Sequence, residues 1–236
     1  MLASLRALLL IDPAVILLTI VMGTLSLAVS LFDSTGRLQH RLARAWARIL
    51  LAVSGVRVIV EGVEKLDPKG CYVLVANHMS YMDIPALLGY LPLEIRFFAK
   101  ENLFSIPFLG THLRRAGHLP VARGDARASL KTLQEAGRQI RSRGITTLLF
   151  PEGGRSPKDL REFKEGAAHL AIKAGVPAVP VGLTGTRAVL PMDSVTIRPG
   201  VVRVRIGDPI PTAGMKSQDR AGLNRLLREQ VIELMR

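Results

Sequence analysis

The pattern with the most chemistry in this chain is a histidine five residues ahead of an acid, in Asn77-His78-Met79-Ser80-Tyr81-Met82-Asp83. It follows directly on the apolar run Tyr72–Ala76, and strand ends in α/β folds are where sites are usually built. Histidine titrates near neutral pH, so His78 can accept a proton and later release it. Asp83 lies one residue beyond a helical turn. It can fold back onto the other ring nitrogen and fix the tautomer, as the acid does in a serine-protease triad. The competing reading is a structural histidine that caps the helix after it. No protein nucleophile accompanies the pair: there is no G-x-S-x-G elbow, and Cys71 lies on the wrong side of the strand end, where it reads as a small buried hydrophobe. A base and an orienting acid without a nucleophile imply that the substrate brings the attacking group, such as a hydroxyl. His78 has no H-E-x-x-H partner and the chain holds no cysteine cluster, so no metal site is expected.

A second junction of the same kind lies at Leu148-Leu149-Phe150, followed by Pro151-Glu152-Gly153-Gly154-Arg155-Ser156. Gly153 and Gly154 form a tight turn that lets backbone N–H groups approach a ligand. Arg155 can grip a phosphate with two hydrogen bonds, and Glu152 stands beside it. The same residues also make a good loop that needs no function. Two more apolar runs end in a cation, Ile95–Ala99 at Lys100 and Gly117–Val121 shortly before Arg123. Arg114, Arg115 and Arg127 read as basic surface. If the strands are parallel, His78, Lys100, Arg123, Glu152 and Arg155 gather at one edge of a sheet.

The elements needed to place them are legible in the periodicity. Strands are expected at Val56–Val60, Tyr72–Ala76, Ile95–Ala99, Gly117–Val121, Ile145–Phe150, Val179–Leu183 and Val201–Ile206. Helices are expected at Asp83–Tyr90, over Glu101–Arg115 with a break at Pro107, and from Asp125 or Ser129 to near Gly144 with Ala126, Leu130, Leu133 and Ile140 inward. Two more are expected at Phe163–Ala174, closed by Gly175, and from about Ser217 onward. This alternation predicts an α/β fold with a largely parallel central sheet flanked by helices.

Two further features precede that unit. Ala14–Phe32 carries no charge and approaches the ~20 residues that cross a bilayer core, so it fits a full span or a helix sunk in one leaflet. A cleaved signal peptide fits less well, because no small-residue cleavage site follows and Asp12-Pro13 interrupts the approach. After a turn at Asp33–Gly36, a helix is expected at Arg37–Val53. Arg37, Arg41, Arg44 and Arg48 fall on one of its faces, and Leu38, Leu42, Trp46, Ile49 and Val53 on the other. An ordinary surface helix competes with a hairpin whose arginines sit among lipid headgroups. The division expected is residues 1–55 as membrane-anchoring helices and 56–236 as the catalytic domain. The formal net charge of +13 calls for an anionic partner. Aromatic residues are few and not interleaved with the basic ones, so a lipid surface is favoured and nucleic acid is not expected.

These motifs resemble the glycerolipid acyltransferase family, which includes the 1-acyl-glycerol-3-phosphate acyltransferases. The resemblance rests on four blocks in the expected order over about Asn77–Gly185: NHMSYMD, AKENLFSIPFLGTHLRRAGHLPVARG, FPEGGRS and VPAVPVGLTG. It implies acyl transfer from an acyl thioester, on coenzyme A or acyl carrier protein, to the free hydroxyl of a lysophospholipid, giving phosphatidic acid when the acceptor is lysophosphatidate. No cofactor beyond that co-substrate is implied. By the same resemblance His78 is the base and Asp83 orients it, Lys100 and Arg123 hold the acceptor phosphate, Glu152, Gly153 and Arg155 position the acceptor, and Pro180 shapes the site wall. Gly154 stands where the family usually has Thr, and Ala122 where an Asp often precedes the arginine; both departures bear on the acceptor. A lyso-ornithine lipid or another lysophospholipid is the neighbouring option, and a non-catalytic membrane-binding protein is the alternative from a different class. A membrane-lipid acceptor, a cytosolic donor and the arginine-bearing helix together point to the cytoplasmic face of the cell membrane.

Overall fold

Val73–Ala76 is buried on both faces: Val73 and Val75 point into one helical layer, Leu74 and Ala76 into the other. A strand covered on both sides belongs to a parallel sheet between helices. A computed structural model describes residues 9, 11–121, 126–156 and 159–236, with 126–130 described by backbone alone. Its order is α1 (Asp12–Val29), α2 (Arg37–Val53), β1 (Val56–Glu61), β2 (Val73–Ala76), α3 (Asp83–Tyr90), β3 (Ile95–Lys100), α4 (Leu109–Arg115), β4 (Leu119–Val121), α5 (Ala126–Arg143), β5 (Thr146–Leu149), α6 (Gly166–Ala174), β6 (Ala178–Thr184), α7 (Thr186–Val189), β7 (Gly200–Ile206) and α8 (Arg220–Leu234). The expected strands and helices are present; Arg37–Val53 and Asp83–Tyr90 match at both ends, and the others shift by up to three residues. The sequence pattern missed α7 and a 3-10 turn at Val63–Lys65, both too short for a periodic signal. Arg123, Ala122 and the side chains of Ala126, Arg127 and Leu130 lie outside the described residues.

The seven strands form one sheet in the order β1-β7-β6-β2-β5-β3-β4. β2 to β6 run parallel, while β7 meets β6 antiparallel and pairs in parallel with β1 at the edge. The ends of β2, β3, β4 and β5 therefore share one edge, as the sequence implied. One face carries α2 and α3 over Leu74, Leu148, Val181 and Val204; the other carries α5, α6 and α8 over Val73, Val75 and Leu149.

The N-terminal helices correct two expectations. The arginines of α2 do not all face outward. Arg44 donates to the carbonyls of Leu88 (3.3 Å), Leu91 and Leu93 (3.3 Å), and Arg48 donates to Gly89 O (2.7 Å). They satisfy the last-turn carbonyls of α3 and complement its dipole. Periodicity reported their shared face but not the helix end that lies beneath it. Nor does residue 55 separate two bodies, because Ala47, Leu50 and Leu51 of α2 belong to the same core as the sheet.

Helix α1 has a mean hydropathy of 1.9 and, of its residues, only Ser26 is buried. At about 1.5 Å per residue it is ~27 Å long. It lies along the body and is pinned at both ends: Thr196 Oγ1 bonds Asp12 Oδ2 (3.2 Å), His112 Nδ1 meets Ser26 Oγ (2.9 Å), and Arg115 donates to Ser30 Oγ (2.9 Å). Trp46 Nε1 donates to Thr19 Oγ1 (3.1 Å) midway. Ile16, Leu17, Ile20, Val21 and Leu25 stay exposed, continued by Leu31, Phe32 and, on α2, Leu38, Ile49 and Val53.

Behind α2 and α4 lies a buried basic knot. Arg96 donates to Glu94 Oε1 (2.6 Å) and Thr35 O (3.4 Å), while His40 Nε2 bonds Leu93 O (3.0 Å). Burial, then Arg96 and Arg44, push His40 down to about 4, and burial holds His118 far below its ordinary value. These rings are neutral when folded and charged in the unfolded chain below about pH 6.5, so acid favours unfolding. The unfolding midpoint is expected to fall as pH drops from about 6.5 towards 4, with His40 alone contributing ~3 kcal/mol. Calorimetry across that range checks this, and His40→Gln, which can still donate to Leu93 O, should flatten the slope.

Candidate active site

β2 ends at Ala76, and the next residues are fastened one by one. Asn77 locks the strand end to β6, donating from Nδ2 to Leu183 O (2.9 Å) and accepting from Leu183 N–H at Oδ1 (2.7 Å). Ser80 Oγ donates to Leu190 O (2.7 Å) and accepts from Met82 N–H (3.2 Å). The chain between them turns tightly enough to bring Asp83, in the first turn of α3, back onto His78.

Asp83 is fully buried, and a single oxygen carries its work. Oδ2 accepts from His78 Nδ1 (2.7 Å), Met79 N–H (2.8 Å) and Ser80 N–H (2.9 Å). An oxygen with two amide donors already aimed at it acts as acceptor towards the ring, so Nδ1 keeps its proton and Nε2 carries the free lone pair. The His78 side chain is 17% exposed and lines the cleft described below. Its ring stacks on Phe150 at 4.1 Å between centroids and 16° between planes. The histidine is thus oriented from below by an acid and from the side by an aromatic face.

Glu152 has a different role from the one the sequence suggested. It is 5% exposed, and its carboxylate turns inward: Oε1 accepts from His78 N–H (2.7 Å) and Oε2 from Arg161 N–H (3.0 Å). Ser156 N–H returns a bond to His78 O (2.9 Å). Glu152 therefore positions His78 and stitches the loop after β2 to the loop after β5. Gly153, at φ +75°, turns the chain back after it, in a conformation open to glycine at little cost.

A cleft of about 1170 Å³ opens above this edge. Lys100, Gly153, Gly154 and Arg155 line it with His78. The Arg155 guanidinium lies 3.6 Å over the Tyr81 ring, a cation–π contact that leaves its N–H fork available. Among the described residues no carboxylate lies within ion-pair distance of Lys100 or Arg155. No serine, threonine or cysteine is among the described residues lining the cleft. Cys71 stands half-buried before the opposite end of β2, its thiol donating to Ile145 O (3.3 Å) and pushed up by desolvation.

Pro180 is not brought to the cleft. It lies mid-strand in β6 beside Val75, on the face beneath α6 and α8, so close to Gly207 that a Cβ there would stand 2.7 Å from its ring. Sequence reasoning missed Phe150 and Tyr81 as ring partners of His78 and Arg155, although both adjoin the motifs. It also missed Arg161, Lys164 and Arg220, which line the cleft from a loop and a helix start that carry no motif signal.

The tie made by Glu152 can be tested without a substrate. Glu152→Gln places an NH2 against one of two backbone N–H donors whose bonds are part-buried, and a donor left unsatisfied away from water costs about 1–3 kcal/mol. The unfolding midpoint is expected to fall by roughly 3–10 °C, with a shifted amide resonance for His78. A midpoint within 1 °C of the parent would show that the tie carries nothing.

Comparison with known proteins agrees with this geometry. The acyltransferase family model matches residues 57–184. The 1-acyl-sn-glycerol-3-phosphate acyltransferase of Chlamydomonas reinhardtii is 37% identical over 195 residues, covering 81% of this chain and 57% of that protein. The chloroplastic LPAT1 of Arabidopsis thaliana is 37% identical over 187 residues, covering 77% of this chain and 51% of that protein. The chain thus spans little more than half the length of these curated relatives. A crystal structure of the 1-acyl-sn-glycerophosphate (LPA) acyltransferase PlsC from Thermotoga maritima matches with a TM-score of 0.81 and 29% identity, covering 98% of this chain and 95% of that one. The matched segment runs from β1 to the end of β6 and holds the histidine–aspartate pair, the glycine–arginine turn and the strand edge that unites them: this chain belongs to the acyltransferase family.

Proposed function

We propose that the protein transfers an acyl group from an acyl thioester to the free hydroxyl of 1-acyl-glycerol-3-phosphate, forming phosphatidic acid for phospholipid synthesis. The observation that carries this is the His78–Asp83 pair in a cleft where, among the described residues, Lys100 and Arg155 have no carboxylate partner and no serine, threonine or cysteine lines the wall. The names of the relatives supply the acceptor. His78 Nε2 takes the proton of the acceptor hydroxyl, and the oxygen attacks the thioester carbonyl. The C–O bond forms, the tetrahedral intermediate collapses with loss of the C–S bond, and the imidazolium returns its proton to the departing thiolate. Asp83 Oδ2 stabilises the imidazolium in between. Lys100 and Arg155 hold the acceptor phosphate, with Arg123 as a further candidate from the segment after β4. The thioester is already activated, so no covalent enzyme intermediate is required.

The acceptor and the product are membrane lipids. The exposed apolar face of α1, on a helix pinned at both ends to the body, suits burial in one leaflet better than a crossing, with the body at the cytoplasmic face of the cell membrane.

The deciding experiment incubates purified protein with labelled acyl thioester and competing lyso-lipids. Labelled phosphatidic acid should form. Asp83→Asn should lower turnover by about 10⁴-fold through the wrong tautomer, and His78→Ala should abolish it while the fold persists. Acylation of a zwitterionic lyso-lipid but not of lysophosphatidate would reassign the acceptor. The double substitution Leu17→Asp and Ile20→Asp should release the protein from vesicles of anionic phospholipid in sedimentation; unchanged binding would refute the leaflet assignment.

A further inference from the structure

The cleft crosses the sheet edge from one helical layer to the other, and its two rims differ in chemistry. One rim is apolar: Ile84, which packs on the core of the layer that carries α1 and α2, with Leu103, Met192 and Tyr81. On the α6–α8 layer it is cationic, with Arg161, Lys164 and Arg220. Arg220 pairs with Glu165 (2.6 Å). Among the described residues the Arg161 and Lys164 side chains have no carboxylate within ion-pair distance, and both residues are exposed. Neither is loosely placed. Arg161 N–H is held by Glu152 Oε2 (3.0 Å), Lys164 N–H donates to Pro151 O (3.0 Å), and the Lys164 ammonium stands where a Cβ on Gly153 would be 3.1 Å away. Two uncompensated cations on one rim of a cleft that already has Lys100 and Arg155 at its centre are more than one phosphate needs.

We propose that Arg161 and Lys164, flanked by Arg220, bind the phosphate of the pantetheine arm of the acyl donor. The inference rests on the function proposed above, which requires two phosphorylated substrates that reach the site from different phases. The acceptor lipid keeps its chain in the bilayer and enters from the apolar rim beside α1, so its phosphate meets Lys100 and Arg155. The donor comes from water, whether the arm is carried by coenzyme A or by acyl carrier protein. Its phosphate meets the rim on the far side of the sheet, while the thioester reaches His78 at the edge between them. Charge-assisted bonds to a phosphate at a half-exposed rim suit a substrate that must be bound and released at each turnover.

The test uses the double variant Arg161→Ala with Lys164→Ala and three donors with the same acyl chain: acyl-CoA, acyl carrier protein, and acyl-pantetheine, which has no phosphate. The KM for acyl-CoA should rise about tenfold or more while the KM for lysophosphatidate moves much less, and the variant-to-parent ratio of kcat/KM should be far lower with acyl-CoA than with acyl-pantetheine. A loss with acyl carrier protein but not with acyl-CoA would assign the rim to the carrier protein's own surface and overturn the phosphate assignment. Equal losses with all three donors, or a loss confined to the acceptor KM, would also overturn it. Binding of free coenzyme A by calorimetry is independent of turnover: about tenfold weaker binding to the variant supports the site, and equal binding to variant and parent, or none to the parent, overturns it. Absence of acylation by the parent with every donor would instead refute the proposed reaction, leaving the calorimetry to decide the site.

Discussion

The site depends on one buried carboxylate that meets no cation among the described residues. Glu152 places its two oxygens on the backbone N–H groups of His78 and Arg161. A charge out of water needs hydrogen bonds, and these two amides supply one to each oxygen. The result is a covalently separate pair of loops, after β2 and after β5, that behave as one piece. The ring stack of His78 on Phe150 and the return bond from Ser156 follow from that junction. Adjacency of β2 and β5 in the sheet brings the loops within reach, so the direction of the histidine lone pair is settled by strand order rather than by the histidine motif alone.

Within the motif, residues that look interchangeable have separate duties. Asn77 closes the strand, Ser80 closes the turn, and Asp83 collects three donors on one oxygen. The spacing of the motif is therefore a folding requirement as much as a chemical one. One residue more or fewer would turn Asp83 to another side of α3.

How much of this was legible in the sequence follows from which signals are local. The strands are written in alternation and apolar runs, and their shared edge follows once they are parallel, so the meeting of His78, Lys100 and Arg155 in one cleft could be read from order alone. Asp83 folding back on His78 follows from a five-residue spacing and a turn. What was not legible depends on partners distant in the chain. Glu152 announces a charge but not which way it faces, and only the tertiary pairing with His78 N–H turns it inward. Arg44 and Arg48 mark a helix face, but the end of α3 that they cap is set by packing. Pro180 adjoins the site in motif order, but it lies mid-strand in β6 beside Val75, below the sheet edge at which the cleft opens.

Among the described residues β1 has one strand beside it, β7, which follows it only after all the other strands of the sheet. During synthesis the ribosome releases β1 well before its companion. Closing so long a loop is slow, and the first-made strand waits with open backbone groups that any other extended chain can occupy. Chaperone demand in the cell should accordingly centre on this interval, and a message cut short before Gly200 would yield a product prone to clump rather than a smaller folded protein.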